Sequence, residues 1–299
     1  MNRPDLKYAQ IRMKYDNMGN AIRTEYYDTE GKYVLSKSKG YAFYESAYEN
    51  GKWMESRYYD EQGNLALGKT TGYAVIKCQY DAYGRRASNY FYGTDEKPVI
   101  STEYHCAGME YGYDERGNRT DIRYIGLDGD LMLVDNLGCA WVHKEYDNMG
   151  HLIKIAYYDT DEQPVLCKET GYARKESVYK NGTWMESSYY DKQGNLMIGK
   201  EMGCAVIKCQ YNEKGQKVSD YFYGADGQLT ISTEYYCAGM EYEYDERGNR
   251  NVIRCIDLDG KLMNIDKWGY AVIKYRFDEW NNVVDRQYYD REGALVEVQ

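Results

Sequence analysis

The sequence predicts an all-β fold: an elongated tandem-repeat array of about nine hairpin units, either β-solenoid-like or a spiralling antiparallel sheet. Three observations predict it. Tyrosine and glycine are abundant, 37 and 29 of 299 residues, against 4 Phe and 3 Pro, a bias toward strands separated by turns. The segment from Tyr15 to Glu145 aligns with that from Tyr146 to Arg276 without a gap, and 78 of the 131 aligned positions are identical. Within each copy apolar and polar residues alternate with a period of two, and no helical periodicity competes with them.

The array is read as one domain over residues 1–299, in which a first block, 15–145, is duplicated as 146–276. Each block divides into four units, beginning at Tyr15, Tyr48, Tyr80 and Tyr113, then at Tyr146, Tyr179, Tyr211 and Tyr244. A partial ninth unit occupies 277–299. The step is about 33 residues, shortened where YENG at Tyr48 and YKNG at Tyr179 lack one residue of the YD-x-x-G turn.

Every unit enters its first strand at an alanine, from Ala9 and Ala42 to Ala238 and Ala271. Two residues on, the side chain is usually apolar, as at Ile11, Ile76 and Met109. Three residues on, it is always charged or His, as at Arg12, Lys77 and His143. That alternation describes a half-buried strand. A turn such as DNMGN or DERGN follows, where Asp accepts from backbone amides and Gly takes positive φ. The second strand carries Ile22, Met54, Ile153, Met185 and Val218 on one face and ends in an aromatic pair, such as Tyr26-Tyr27 or Phe91-Tyr92. A second turn then leads through a short apolar patch, YVL, LAL, PVI or LML, into a Gly-Tyr or Gly-Cys step and the next alanine. One unit alone buries too little to be stable, so stacking on its neighbours supplies the core, with equivalent tyrosines in ladders.

The YD-x-x-G-[NR] turns between alternating strands resemble the YD-repeat, or RHS-type, family of bacterial surface and toxin-shell proteins. Units such as YENGKWMESRYYDEQGNL also resemble the bacterial MORN-like variant repeats. The resemblance covers the chain from about Tyr8 to Val298, and it implies a bacterial surface or secreted β-repeat module, part of a larger protein. The NGKW and YYDEQGNL stretches are similar to choline- and glucan-binding repeats, whose sites use a regularly recurring Trp; here Trp53, Trp141, Trp184, Trp268 and Trp280 are irregularly placed.

A net charge of −10 without a basic stripe repels phosphate backbones and argues against nucleic acid as a partner. No run reaches the roughly 18 apolar residues of a membrane helix, so no membrane insertion is expected. The first residues, MNRPDLKYAQ, lack the apolar core of a signal peptide, which keeps a cytoplasmic location open. Uncapped ends invite end-to-end self-association.

Nearly every polar residue recurs by repeat position, so the sequence names no catalytic residue, no metal site and no cofactor. His105, His143 and His151 are scattered. The Asp-rich turns are read as turn caps rather than calcium loops. Of the eight cysteines, Cys106, Cys139, Cys204 and Cys237 precede the alanine, where other units have Tyr, and Cys255 replaces the first Tyr of an aromatic pair. They are read as small core side chains, with bridges of Cys106 to Cys139 or Cys204 to Cys237 left open. The candidate binding row is the second Tyr of each pair: Tyr27, Tyr59, Tyr92, Tyr158, Tyr190, Tyr223 and Tyr289. Alternation sets it on the face opposite its buried neighbour, exposed or lining a groove; the competing reading is a second small core beneath the adjacent turn. The expected function is a non-catalytic binding or scaffolding array that engages a protein or glycan. A cytoplasmic interaction scaffold and a glycan-binding repeat are the alternatives.

Overall fold

The computed structural model describes residues 8–297, and all of its regular structure is β. The strands are β1 (Gln10–Tyr15), β2 (Ala21–Tyr27), β3 (Phe43–Glu49), β4 (Lys52–Tyr59), β5 (Val75–Tyr80), β6 (Arg86–Tyr92), β7 (Gly108–Tyr113), β8 (Arg119–Ile125), β9 (Trp141–Tyr146), β10 (Leu152–Tyr158), β11 (Arg174–Lys180), β12 (Thr183–Tyr190), β13 (Val206–Tyr211), β14 (Lys217–Tyr223), β15 (Gly239–Tyr244), β16 (Arg250–Ile256), β17 (Val272–Phe277), β18 (Val283–Tyr289) and β19 (Leu295–Val296). The chain divides into two compact units, residues 1–143 with 158–163, and residues 144–157 with 164–299. The division falls within β9 and at the end of β10.

Within each unit the strands pair in chain order and always antiparallel, so the antiparallel sheet, rather than a solenoid of parallel strands, is the arrangement observed. Two kinds of contact alternate. Inside a hairpin the ladder is long, as in Gln10↔Tyr27 through Tyr15↔Ala21, and carries a bulge before its turn. Between hairpins it is three residues long, as in Arg23↔Glu45 to Glu25↔Phe43.

The recurring alanine sits where these contacts meet. The Ala42 amide donates to the Tyr59 carbonyl of its own hairpin at 2.7 Å, and its carbonyl accepts from the Tyr26 amide of the preceding one at 2.9 Å. Ala74 does the same with Tyr92 and Tyr58, as Ala205 does with Tyr223 and Tyr189. Ala42, Ala74 and Ala205 are 0% exposed, so nothing larger than a methyl fits between two backbones.

Side chains of the residue before the alanine and of the first member of the aromatic pair form one ladder. In the first unit Tyr8–Tyr26, Tyr26–Tyr41, Tyr41–Tyr58, Tyr58–Tyr73 and Tyr73–Phe91 lie at ring-centroid distances of 5.0, 6.0, 4.7, 5.8 and 4.8 Å. Around its end Tyr73, Ile76, Phe91, Cys106, Met109 and Val134 form a core cluster. The second unit repeats the ladder through Tyr157, Tyr172 and Tyr189, at 5.9 and 5.1 Å. The ladder alternates the two slots. Cys106 and Cys139 therefore have the Tyr124 slot between them, and Cys204 and Cys237 the Phe222 slot, so neither of the bridges left open by the sequence joins neighbours. All eight cysteines are buried thiols.

Candidate functional site: the tyrosine and charge face

The Asp turns are self-contained. Asp114 Oδ1 accepts from the amides of Arg116 and Asn118 at 3.0 and 2.8 Å, and Asp114 Oδ2 accepts from Asn118 Nδ2 at 2.8 Å. The same triad recurs at Asp16, Asp60 and Asp245. Among the described residues no three His, Cys, Asp or Glu side chains converge as a metal site. His143 Nδ1 lies 2.8 Å from Asp121 Oδ1, His151 Nδ1 lies 2.8 Å from Asp147 Oδ2, and His105 occupies a positive-φ turn.

The second tyrosines of the pairs lie on the face opposite the ring ladder. Tyr27 is buried, and Tyr59, Tyr92, Tyr158, Tyr190, Tyr223 and Tyr289 are half-buried. Each is covered from the first strand of its hairpin. In the first unit Arg12 lies 4.6 Å over Tyr27, Phe43 stacks on Tyr59 at 4.7 Å, Lys77 lies 4.8 Å over Tyr92 and Trp141 stacks on Tyr158 at 4.5 Å. In the second, Arg174, Lys208 and Lys274 lie 4.2, 5.5 and 4.7 Å over Tyr190, Tyr223 and Tyr289. The apolar patch reaches them from the other side: Tyr33 stacks on Tyr27 at 5.0 Å, and Leu65, Leu196 and Leu229 form backbone bridges to Tyr59, Tyr190 and Tyr223.

Between the tyrosines runs a lattice of opposite charges. In the first unit Arg23 pairs with Glu25 at 2.7 Å and with Glu45. Arg57 pairs with Glu55 and, at 3.1 Å, with Glu96. Those Arg57 hydrogen bonds hold the Glu96 carboxyl below the usual carboxylate range. In the second unit Lys154 pairs with Glu145 at 2.7 Å, Lys208 with Glu186 at 3.6 Å and Arg254 with Glu243 at 2.7 Å. Pairs as open as these add little to stability, so the lattice is free to exchange partners.

Sequence reasoning missed a second row on this side. The third residue of each apolar patch is exposed: Leu35 37%, Leu67 49%, Ile100 39% and Leu133 46% in one unit, and Leu166 43%, Ile198 53% and Ile231 36% in the other. Alternation puts Leu35 on the same side as Tyr33, two residues before it. That period was readable, because YVL, LAL and PVI share one template, whereas exposure was not, because a three-residue apolar run reads as core. A groove also lies at the hairpin tips of each unit. One of about 670 Å³ is lined by Tyr83, Arg85, Tyr113, Asp114, Glu115 and Arg116. Its counterpart in the duplicated block, about 570 Å³, has Glu213, Glu243 and Asp245 with Lys214.

No family model matches this chain. No curated protein matches it either. Among solved structures it is similar to a complex of TcdB2 with TccC3 and TEV, at 12% identity over 94% of this chain and 13% of that one, with a TM-score of 0.33. It is also similar to a Photorhabdus luminescens Tc holotoxin pore carrying a TccC3 variant, at 13% identity over 97% of this chain and 16% of that one, with a TM-score of 0.29. The chain spans less than a fifth of the length of either.

Proposed function

We propose that the chain is a non-catalytic scaffold that binds a protein partner across the tyrosine and charge face of its hairpins. One observation carries this: Leu or Ile is exposed at the same patch position in seven units, beside half-buried tyrosines and paired charges. Exposed aliphatics among tyrosine and arginine form the composition of a protein interface, and a hairpin repeat offers that composition many times. The partner's contact surface is apolar with charges of both signs, matching the alternation of Glu45, Arg57, Glu55 and Lys77. A sugar needs an open aromatic face, and these rings are covered by Lys, Arg, Phe or Trp at 4.2 to 5.5 Å, so glycan is the weaker reading. The net charge of −10 speaks against nucleic acid. With the YD-x-x-G resemblance, the reading extends to a β-repeat segment of a bacterial surface or secreted protein.

The test is cross-linking mass spectrometry on the chain in extracts of its source. A partner whose cross-links fall beside Leu67 and Ile100, and which is lost from Leu67→Glu/Ile100→Glu but retained by Tyr83→Ala, supports the reading. Cross-links confined to the hairpin tips, or a glycan-array hit abolished by Tyr190→Ala, overturn it.

A further inference from the structure

We propose that Cys237 and Cys255 are a thiol–disulfide site, the one place where the ring ladder puts two sulfurs side by side among the described residues. The inference starts from the slots. The residue before the alanine and the first member of the aromatic pair touch within each hairpin, and where both are rings their centroids lie 4.7 Å apart at Tyr41–Tyr58 and 4.9 Å apart at Tyr270–Tyr288. In the β15–β16 hairpin both slots hold cysteine. The Ala238 amide donates to the Ile256 carbonyl at 2.8 Å, which fixes Cys237 and Cys255, one residue before each, in this register. The two thiols are hydrogen-bonded to each other, and they are 0% and 2% exposed. Two thiols fill less volume than the two rings found at this place in other hairpins, so the pair has room to close up.

The pair is chemically unequal. Donation from the Cys255 thiol holds Cys237 below the ordinary thiol range, and the same bond with burial pushes Cys255 up. Cys237 is therefore the attacking sulfur. Its thiolate attacks one sulfur of a low-molecular-weight disulfide such as glutathione disulfide, releasing one glutathione thiolate and leaving a mixed disulfide. The Cys255 thiol, losing its proton to solvent, attacks the Cys237 sulfur and displaces the second glutathione. Two protein thiols become one disulfide, and one glutathione disulfide becomes two thiols. Because both sulfurs are buried, reaction follows opening of the hairpin, and the closed bond then ties Cys237 to Cys255 across it.

The experiment equilibrates the full chain with glutathione disulfide in low urea, so that hairpins open, then removes urea and counts free thiols by alkylation and peptide mapping. Six of the eight cysteines labelled, with a Cys237–Cys255 cross-linked peptide, is the expected result. Cys255→Ser should trap glutathione on Cys237, whereas Cys237→Ser should leave Cys255 reduced. The oxidised chain should also unfold at higher urea than the reduced one. All eight thiols labelled, or a bridge mapping to Cys204–Cys237 or Cys106–Cys139, overturns the proposal. Cys209, buried beside a carboxylate with no second sulfur in reach of its hydrogen bonds, serves as the internal control.

Discussion

Tyr242 and Asp220 meet across the β14–β15 contact, where Tyr242 Oη donates to Asp220 Oδ2 at 2.7 Å. Asp220 is 6% exposed, and Cys209 Sγ and Lys217 Nζ donate to its other oxygen at 2.8 and 2.9 Å. The duplicated position in the first block is Asn89, which accepts from Cys78 Sγ and donates through Nδ2 to Tyr111 Oη, both at 3.0 Å. Asn89 keeps the polar contacts without a charge, and Asp220 adds the charge together with a lysine to balance it.

That pairing sets the first prediction. Asp220→Asn should cost about 1 kcal/mol, because the amide still serves Cys209 and Tyr242 and only Lys217 loses its counter-ion. Asp220→Ala should cost about 3 kcal/mol, because three donors lose their acceptor at once. Urea unfolding of the full chain reads both, and equal losses would show that the hydrogen bonds carry nothing beyond the ion pair.

Much of this fold was legible because a β-repeat writes its register into the spacing. The alanine slot, the +3 charge and the paired aromatics all sit where a period of two puts them, and the seven candidate tyrosines lie on the face opposite the ladder. Their covers were not legible. Phe43 over Tyr59 and Trp141 over Tyr158 are cross-strand neighbours that only the hairpin register brings together. The Cys237–Cys255 contact was hidden for a related reason: comparing cysteines in the same slot of successive units skips the slot that lies between them.

Packing of the ladder can be tested at its closed positions. Phe222 is 0% exposed, so Phe222→Ala leaves a cavity and should cost about 4 kcal/mol. Tyr83, at a hairpin tip, is 84% exposed, and Tyr83→Ala should stay within about 0.5 kcal/mol of the parent. Comparable urea midpoints for the two variants would show that the ladder is not the core.

Two glycines separate backbone strain from crowding. Gly194, at φ 87, has nothing within 4 Å of an added Cβ, so Gly194→Ala meets only the left-handed conformation and should cost about 1 kcal/mol. Gly203, at φ 66, would place the same atom 2.7 Å from the Thr233 amide nitrogen of the following unit, whose amide donates to Met202. Gly203→Ala should therefore cost about 3 kcal/mol by adding a clash to the strain. Equal losses in thermal unfolding would mean that the units tolerate separation at this link.

Stability should fall at both ends of the pH range, for opposite reasons. Side-chain hydrogen bonds from Asn20, Asn118, His151, Asn249 and Asn282 hold the carboxyls of Asp16, Asp114, Asp147, Asp245 and Asp278 below the usual carboxylate range. A depressed folded pKa gives stability that is present above the unfolded value, about 3.9, and lost as pH falls through the folded one. Burial acts the other way on the thiols, pushing Cys78 and Cys204 up to about 11 and Cys106 and Cys209 up to about 12. A raised folded pKa gives stability that is complete below the unfolded value, about 8.5, and lost as pH rises from there. The urea midpoint of the reduced chain should thus be level between about pH 5 and 8 and decline outside that window. Cys106→Ala and Cys209→Ala, though less stable throughout, should each flatten the alkaline decline. An alkaline limb unchanged by both substitutions would assign it to the tyrosines instead.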